Sequence, residues 1–205
     1  MKRVIGFIGA GQIGRTLALH LVNGGHTVLL SNSRGKDSLE SLAQQLGTNA
    51  KAVDIAEAAA ADIIVLSVPW SKLEIAVKDI HDWNNKIVID TTNNILSTSP
   101  LLELANLKGQ TTGEVVAGLL PNARVVKAFN TLYFKILEAS PIETIGNRVI
   151  VFSGDNQEAK ATVAEIITSI GFAPLDLGSL KEGGKLQDVG GSLSSVDLVK
   201  KKNKA

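Results

Sequence analysis

The chain has 205 residues, which is enough for one domain with a sizeable core, and its 21 basic and 20 acidic side chains nearly cancel. This balance gives no indication of a surface for nucleic acid or an anionic membrane, and the absence of cysteine excludes disulfides, thiolate metal sites and a redox dithiol. No uninterrupted apolar stretch approaches the roughly 18 residues of a spanning helix. We therefore expect a soluble, cytoplasmic protein with neither nucleic-acid nor membrane partners.

The chain begins with an apolar, β-branched run at residues 3–8 that leads directly into a glycine-rich turn with Gly9, Gly11 and Gly14. The following residues put apolar side chains on one helical face: Ile13, Leu17, Leu21 and Val22. A strand, a tight turn and a helix in this order are typical of dinucleotide binding. The glycines allow the turn, the approach of the phosphates and close packing of helix on strand. The pyrophosphate is predicted to lie at the helix N-terminus.

The second strand is predicted at residues 27–31, and the residues after it indicate which dinucleotide binds. Folds that prefer NAD place an acid near the end of this strand to bind the ribose 2′-hydroxyl. This chain has no acid there until Asp37, and it carries Arg34 among hydroxyl and amide side chains. A guanidinium and hydroxyls suit a 2′-phosphate, which a carboxylate would repel. The alternative for Arg34 is a solvated loop charge, and the prediction is NADP rather than NAD.

Strand and helix patterns alternate along the rest of the chain. This alternation predicts an α/β fold of the Rossmann type, with a doubly wound, mostly parallel sheet. Further strands are predicted at 50–53, 63–68, 87–90, 125–128 and 149–152. Helices are predicted at 38–46, 54–61, 70–79 and 157–170, and a helical region that ends at 120 follows the irregular residues 91–99. Residues 1–205 are predicted to form one domain, with a core of about 1–178, a short Gly-rich extension from 179 and a solvated tail at 200–204.

Four predicted strand ends carry small polar residues, at 67–70, 90–94, 128–131 and 153–156. Ligands of such sheets bind beyond the carboxyl ends of the strands. Pro69 suits a wall against a flat nicotinamide, whereas Trp70 fits core packing and ligand contact about equally well. For Asp155 we predict a helix N-cap.

Taken together, these segments resemble the family of NADP oxidoreductases that depend on coenzyme F420, a 5-deazaflavin carrier. The resemblance covers most of the chain. The cytosolic reductase domains of six-transmembrane metalloreductases are also similar. Residues 91–110 and 185–193 differ from the archaeal deazaflavin enzymes and look more like bacterial relatives. The residues that the resemblance assigns to cofactor binding are Gly9, Ala10, Gly11, Gln12 and Ile13 for the pyrophosphate, Ser33 and Arg34 for the 2′-phosphate, Ser67, Pro69, Trp70 and Asn93 around the nicotinamide ribose, and Asn130 and Thr131 along the space for the second ring.

The function implied by the resemblance is hydride transfer between NADPH and a flat redox coenzyme, either deazaflavin (coenzyme F420) or flavin (FMN or FAD). Direct transfer between stacked rings needs orientation and a dry site, so no catalytic acid or base is expected. The three histidines, His20, His26 and His81, are scattered, are predicted to be structural or exposed, and have no metal-ligand spacing. The segment Gly183 to Gly191 could fold over the acceptor ring, with a homodimer completing the pocket, or could form a loose surface loop.

Two other functions remain open on the sequence. One is an imine or β-hydroxyacid reductase, whose N-terminal domain shares the glycine fingerprint but whose substrate contacts usually come from a large helical C-terminal domain. The other is a non-catalytic NADP-binding regulatory protein.

Overall fold

The computed structural model describes residues 1–202, and Asn203 to Ala205 lie outside the described residues. The chain folds as alternating strands and helices around one central sheet. The strands are β1 (Val4–Ile8), β2 (Thr27–Ser31), β3 (Ala50–Ala52), β4 (Ile63–Leu66), β5 (Ile87–Asp90), β6 (Ile95–Ser97), β7 (Glu103–Leu104), β8 (Arg124–Ala128), β9 (Ile142–Glu143), β10 (Gly146–Gly154), β11 (Ala173–Asp176) and β12 (Val199–Lys201). The helices are α1 (Gln12–Asn23), α2 (Glu40–Leu46), α3 (Ile55–Ala59), α4 (Leu73–Val77), α5 (Thr112–Leu119), α6 (Phe134–Glu138), α7 (Gln157–Ser169) and α8 (Leu180–Gln187).

The central sheet has the strand order β11-β10-β8-β5-β4-β1-β2-β3. From β3 to β8 every neighbouring pair is parallel, β10 then runs antiparallel to β8, and β11 is parallel to β10. The predicted doubly wound, mostly parallel Rossmann-type sheet is confirmed. Because β1 has β2 on one side and β4 on the other, the winding reverses at β1, and a ligand crevice is expected at its carboxyl end.

The strands of the sheet are buried on both faces, as their continuous apolar sequences require. One apolar cluster includes Ile5, Leu17 and Phe172, and the second, on the other face, includes Ile64, Val88 and Leu120. Helix α3 lies very close to β1, as shown by Gly6, where a Cβ would be 1.9 Å from the carbonyl oxygen of Ala58. The strands around β1 therefore lie between two packed layers.

Several predicted elements are shorter or different in the structure. The helix predicted at 70–79 is a 3₁₀ turn at Trp70–Lys72 followed by α4, and the helix predicted at 38–46 begins as a 3₁₀ turn at Lys36–Leu39. The helical region before 120 is limited to α5, and the residues before it contain the two-stranded β6–β7 hairpin. The leucines of the hairpin are largely exposed, so this segment has no apolar side that packs on the core. A helix there would lack the tertiary contacts that stabilise most helices in proteins.

The C-terminal segment differs most from the prediction. Residues Gly183 to Gly191 were predicted as a cover for the acceptor ring or a loose loop, yet Gly183 and Gly184 lie buried within α8. A Cβ at Gly183 would lie 2.5 Å from the Ser153 Cβ, and one at Gly184 2.7 Å from the Thr111 Cβ. Residues without a side chain are therefore needed at these two positions for α8 to pack against β10 and α5.

The predicted basic tail is also partly wrong, because Lys200 and Lys201 belong to β12, which pairs antiparallel with the start of β10. Lys202 follows the strand and is exposed, and the residues from 203 lie outside the described residues. Arg148 secures this edge: its guanidinium donates to Asp197 Oδ1 at 2.7 Å and to Glu143 Oε1 at 2.8 Å. The hydrogen bond to Asp197 is the main cause that raises the pKa of Arg148.

Two of the three histidines have structural contacts. His20 is buried, with its Nε2 2.7 Å from the Leu137 carbonyl oxygen, and His81 is exposed. His26 Nδ1 accepts from the Arg3 N–H at 3.3 Å, which leaves its Nε2–H to donate to Ser169 Oγ at 2.8 Å. Among residues 1–202, no group of three or more His, Asp or Glu side chains is arranged to hold a metal ion.

Candidate dinucleotide-binding site

The glycine-rich turn connects the carboxyl end of β1 to α1, and two of its glycines are required by space. Gly9 has φ +96°, its N–H donates to the Ser31 carbonyl at 3.0 Å, and a Cβ there would lie 2.2 Å from the Ser67 carbonyl oxygen. A Cβ at Gly14 would lie 2.9 Å from the Gly9 oxygen. Both contacts are closer than a side chain can tolerate, so Gly9 and Gly14 let α1 approach β1 and β4.

Gly11 is different, because a Cβ at this position would meet nothing within 4 Å. It is the N-cap of α1, which has neither a side-chain cap nor an acid in its first turn. Helices α5, α7 and α8, in contrast, are capped by Thr111, Asn156 and Ser179. The first N–H groups of a helix have no intrahelical partner and carry partial positive charge. The start of α1 thus has open space and free donors where a pyrophosphate would fit.

The loop after β2 presents Ser33 and Arg34 to solvent. The Asn32 side chain shapes this loop, since its Oδ1 accepts from the Arg34 N–H at 2.8 Å. The Ser31 hydroxyl is buried and donates to the Phe7 carbonyl at 2.6 Å, so it is not available to a ligand. Over the described part of the chain, Arg34 forms no ion pair with a carboxylate within 4.0 Å. The loop therefore offers a guanidinium and a hydroxyl without a competing acid.

The segment after β4 adjoins the glycine turn. Ser67 N–H donates to the Ile8 carbonyl at 2.9 Å, and its Oγ would lie 3.2 Å from a Cβ at Gly14. Pro69 is exposed in an extended conformation, whereas Trp70 is half-buried and packs against the apolar cluster that contains Leu73. Trp70 also lines a groove of about 480 Å³ whose other apolar walls are Leu73, Leu107, Val115 and Leu119. Core packing of Trp70 is therefore observed in part, and its contact with a ligand stays a prediction.

The ends of β5 and β8 are joined by two asparagines. Asn130 Nδ2 donates to Asn93 Oδ1 at 3.1 Å, and Asn93 Nδ2 donates to the Asn130 carbonyl at 3.0 Å. Asn93 is partly exposed, whereas Asn130 and Thr131 are buried. Phe129, which precedes them, has φ +64°, a conformation that costs free energy for a residue with a side chain. In the structure Asn130 supports Asn93, and contact of Asn130 and Thr131 with an acceptor ring stays a prediction.

Gln187 is a buried residue of this region that sequence reasoning missed. Its Oε1 accepts from Ser153 Oγ at 2.5 Å, and its Nε2 lies 3.3 Å from both the Lys127 carbonyl and Asn130 Oδ1. Its own carbonyl accepts from Asn130 Nδ2 at 3.0 Å. The end of α8 is thereby bonded to the strand ends. The sequence did not indicate this role, because the glycines around Gln187 are typical of a loop rather than of a helix.

Other contacts also attach α8 to the sheet and to α5. Asp188 accepts from the Thr112 N–H at 3.0 Å and from the Thr112 hydroxyl. Asp155 was predicted to cap α7, and this is wrong: Asn156 is the cap, and Asp155 Oδ1 instead accepts from the Leu180 N–H at 2.9 Å. The carboxylate of Asp155 therefore holds the start of α8.

The second missed feature is an ion pair between Asp90 and Lys127, whose side chains are both 0 % exposed. The sequence shows each charge next to apolar strand residues, but it does not show that the two charges pair, because they are 37 positions apart.

The strand order, the reversal at β1 and the open start of α1 define a Rossmann-type dinucleotide-binding protein. Residues 4–94 match the family model described as NADP oxidoreductase, coenzyme F420-dependent. The resemblance predicted from the motifs is confirmed over these residues, which are a little under half of the chain.

Two relatives extend the similarity over nearly the whole chain. A solved hypothetical protein, SMa0349 from Sinorhizobium meliloti, is 39% identical, with a TM-score of 0.90 over 98% of this chain and 96% of that one. Metalloreductase STEAP3 of Rattus norvegicus is 31% identical over 188 residues, which are 90% of this chain. The chain spans about a third, 36%, of the length of the metalloreductase.

More distant structures share the fold. A proposed F420-dependent NADP reductase from Arthrobacter sp. FB24 is 24% identical, with a TM-score of 0.75 over 88% of this chain and 86% of that one. A reductive aminase from Aspergillus terreus, solved with NADPH, is 18% identical, with a TM-score of 0.63 over 93% of this chain and 60% of that one. Within residues 1–202, no helix has both the length and the apolar character needed to cross a membrane.

Proposed function

We propose that this protein binds NADP(H) across the carboxyl ends of β1, β2 and β4 and transfers hydride between NADPH and a flat redox coenzyme. The observation that carries the proposal is the start of α1. It has open space at Gly11, no side-chain cap and no acid in its first turn, in a chain whose residues 4–94 match a family of NADP oxidoreductases. An anion satisfies both the free N–H groups and the helix dipole there.

The two ends of the dinucleotide would be held by different loops. The 2′-phosphate is placed against Ser33 and Arg34, where the exposed guanidinium has no carboxylate partner among residues 1–202. The nicotinamide ribose is placed between the β4 end, with Ser67, Pro69 and Trp70, and Asn93 at the β5 end. When bound, NADPH supplies the hydride. The protein supplies orientation and exclusion of water, which are the main requirements of transfer between stacked rings.

For the acceptor we propose a deazaflavin such as coenzyme F420, or a flavin, FMN or FAD. The family description names coenzyme F420, which supports this choice. The polar strand ends at Asn93 and Asn130 also support it, because direct hydride transfer between stacked rings needs no acid–base pair. The imine or β-hydroxyacid reductase and the non-catalytic NADP-binding regulator are the competing functions. Likeness of fold alone does not favour either of them.

The decisive experiment is stopped-flow absorbance with the purified protein, NADPH and, in turn, deazaflavin, FMN and FAD. Loss of NADPH absorbance together with reduction of one of these rings supports the proposal. The Gly11→Val variant serves as the control for protein-dependent transfer, because its added side chain fills the proposed phosphate position. Reduction of a ketone or imine, with no reduction of the three rings, supports the first competing function. Tight NADPH binding without any turnover supports the second.

We also propose that the protein is a homodimer. The support is the β6–β7 hairpin, which exposes Leu96, Leu101 and Leu102 by 50%, 74% and 55% of their surfaces. Apolar side chains grouped in this way mark association surfaces more often than isolated ones do. Light scattering after size exclusion should give twice the chain mass, and Leu101→Lys with Leu102→Lys should give the monomer. A monomeric native protein contradicts this part of the proposal.

A further inference from the structure

The Asp90–Lys127 pair lies at the carboxyl ends of β5 and β8, where the two residues are neighbours in the parallel register. Lys127 Nζ is 3.0 Å from Asp90 Oδ2, and neither side chain is exposed. The N-terminal end of α5 covers the lysine, since a Cβ at Gly113 would lie 3.5 Å from Lys127 Cδ. Solvent and substrate therefore have no access to the ammonium group, and it cannot act directly on a ligand.

Both charges also bind the backbone of one residue, Thr92. Asp90 Oδ1 accepts from the Thr92 N–H at 2.8 Å, and Lys127 Nζ donates to the Thr92 carbonyl at 2.8 Å. The Thr92 hydroxyl is buried and has no hydrogen-bond partner among the described residues. The position of Thr92 is thus held through its backbone, from both sides, by the ion pair.

Burying two charges completely is expensive, and apolar side chains of similar volume at such sites are often as stable or more stable. The neighbours of Lys127 in β8 are apolar and buried, so stability alone does not require a lysine there. The pair has a different consequence: Thr92 immediately precedes Asn93, the first partly exposed side chain after β5.

We propose that Asp90 and Lys127 are positioning residues for the nicotinamide end of the site. The pair holds Thr92 so that Asn93 meets Asn130 and faces the nicotinamide ribose. This inference rests on the proposed function, because it needs NADP(H) in the crevice. The adenine end, at Ser33 and Arg34, lies on a different loop beyond β2. The pair should therefore affect binding of the whole dinucleotide but not binding of its adenine half.

The test compares NADPH with 2′,5′-ADP, which carries the adenine and the 2′-phosphate but no nicotinamide. The main variant is Asp90→Leu with Lys127→Met, which removes both charges together and leaves no unpaired one. We expect NADPH to bind about tenfold more weakly, the effect of roughly one lost hydrogen bond. Binding of 2′,5′-ADP should change by less than about twofold. If this variant does not fold, Asp90→Asn with Lys127→Gln, which keeps the polarity and approximate volume, is read by the same criterion.

A matched control is Lys160→Met, since Lys160 is another largely buried lysine, 3.0 Å from Asp176 Oδ2 between α7 and β11. It should lower the melting temperature without changing the ratio of the two affinities. The inference is overturned if a folded Asp90/Lys127 variant keeps the native NADPH affinity and hydride-transfer rate, or if it loses both ligands equally. If the native protein binds neither ligand, the proposed function fails instead.

Discussion

Asn93 and Asn130 are joined by two hydrogen bonds across the ends of β5 and β8, one in each direction. The Asn130 amide donates to the Asn93 side-chain oxygen at 3.1 Å, while the Asn93 amide donates to the Asn130 backbone carbonyl at 3.0 Å. Asn130 Nδ2 also donates to the Gln187 carbonyl, so three separate segments meet at one side chain. The exposed edge of Asn93 is therefore fixed from the protein interior.

The Asn130→Ala variant should be both less stable and slower in hydride transfer. Removing the amide leaves the Gln187 carbonyl and the Asn93 side-chain oxygen without their donor, which costs about 1–3 kcal/mol in the free energy of unfolding. Urea unfolding and stopped-flow transfer measure the two effects. Asn147→Ala is the control, because Asn147 also donates to a backbone carbonyl, that of Gly171 at 2.8 Å. An unchanged transfer rate in a destabilised Asn130→Ala protein would mean that the asparagine is only structural.

The Arg34→Ala variant should discriminate less between the two nicotinamide cofactors. A charge-assisted hydrogen bond to the 2′-phosphate contributes roughly 1.5–3 kcal/mol, so the affinity for NADPH should fall by a factor of about ten or more. NADH has no 2′-phosphate and should bind almost as before. Fluorescence titration of both cofactors checks this result, with Lys36→Ala as a neighbouring loop charge for comparison. Equal losses for NADPH and NADH would contradict the assignment of Arg34.

Gly11→Val should abolish the binding of NADPH and NADH while the protein stays folded. The fold is expected to persist because no atom lies within 4 Å of the added Cβ, whereas the side chain would occupy the pyrophosphate position. Circular dichroism and fluorescence titration measure the two properties. Gly118→Val is a suitable control, since Gly118 in α5 is equally open. Native circular dichroism together with persistent cofactor binding would show that the glycine turn is only structural.

The stability of the protein should fall on acidification through the titration of His26. Burial is the main cause that lowers the pKa of His26, and the charges of the N-terminus and Arg3 add to it. Protonation is thus harder in the folded than in the unfolded state, so stability is retained above the unfolded pKa of about 6.5 and decreases below it. Melting temperatures between pH 8 and pH 5 should show this decrease, as ~1.4 kcal/mol is lost per unit of pKa difference.

The His26→Gln variant is the control for that pH dependence. Glutamine can accept from the Arg3 N–H and donate to Ser169, but it does not titrate, so its stability should vary less with pH. The same decrease in both proteins would assign the pH dependence to other groups.

Local sequence was sufficient to predict the glycine turn and most of the strands. Gly9 and Gly14 are needed by backbone conformation and close packing within one strand–turn–helix unit, which short spacing reveals. Strand β5 was predicted with its observed bounds, since three consecutive β-branched apolar residues between polar ones have few other interpretations. The alternation of strands and helices was sufficient to predict a mostly parallel sheet, whereas the order of the strands came only from the structure. The preference of the loop after β2 for NADP could also be predicted, because it depends only on which residue types the loop contains.

The support of the site was not readable from the sequence, because it depends on residues that are far apart along the chain. Lys127 and Asp90 are separated by 37 positions, and Asn130 and Gln187 by 57. Helix α8 resembled a loop until the close approaches at Gly183 and Gly184 showed why small residues are needed there. A hydrogen bond or a buried charge pair forms only when folding brings its partners together and removes water from both. Residue types and short spacings therefore indicate where the dinucleotide would lie, whereas long-range packing determines which side chains position the residues of that site.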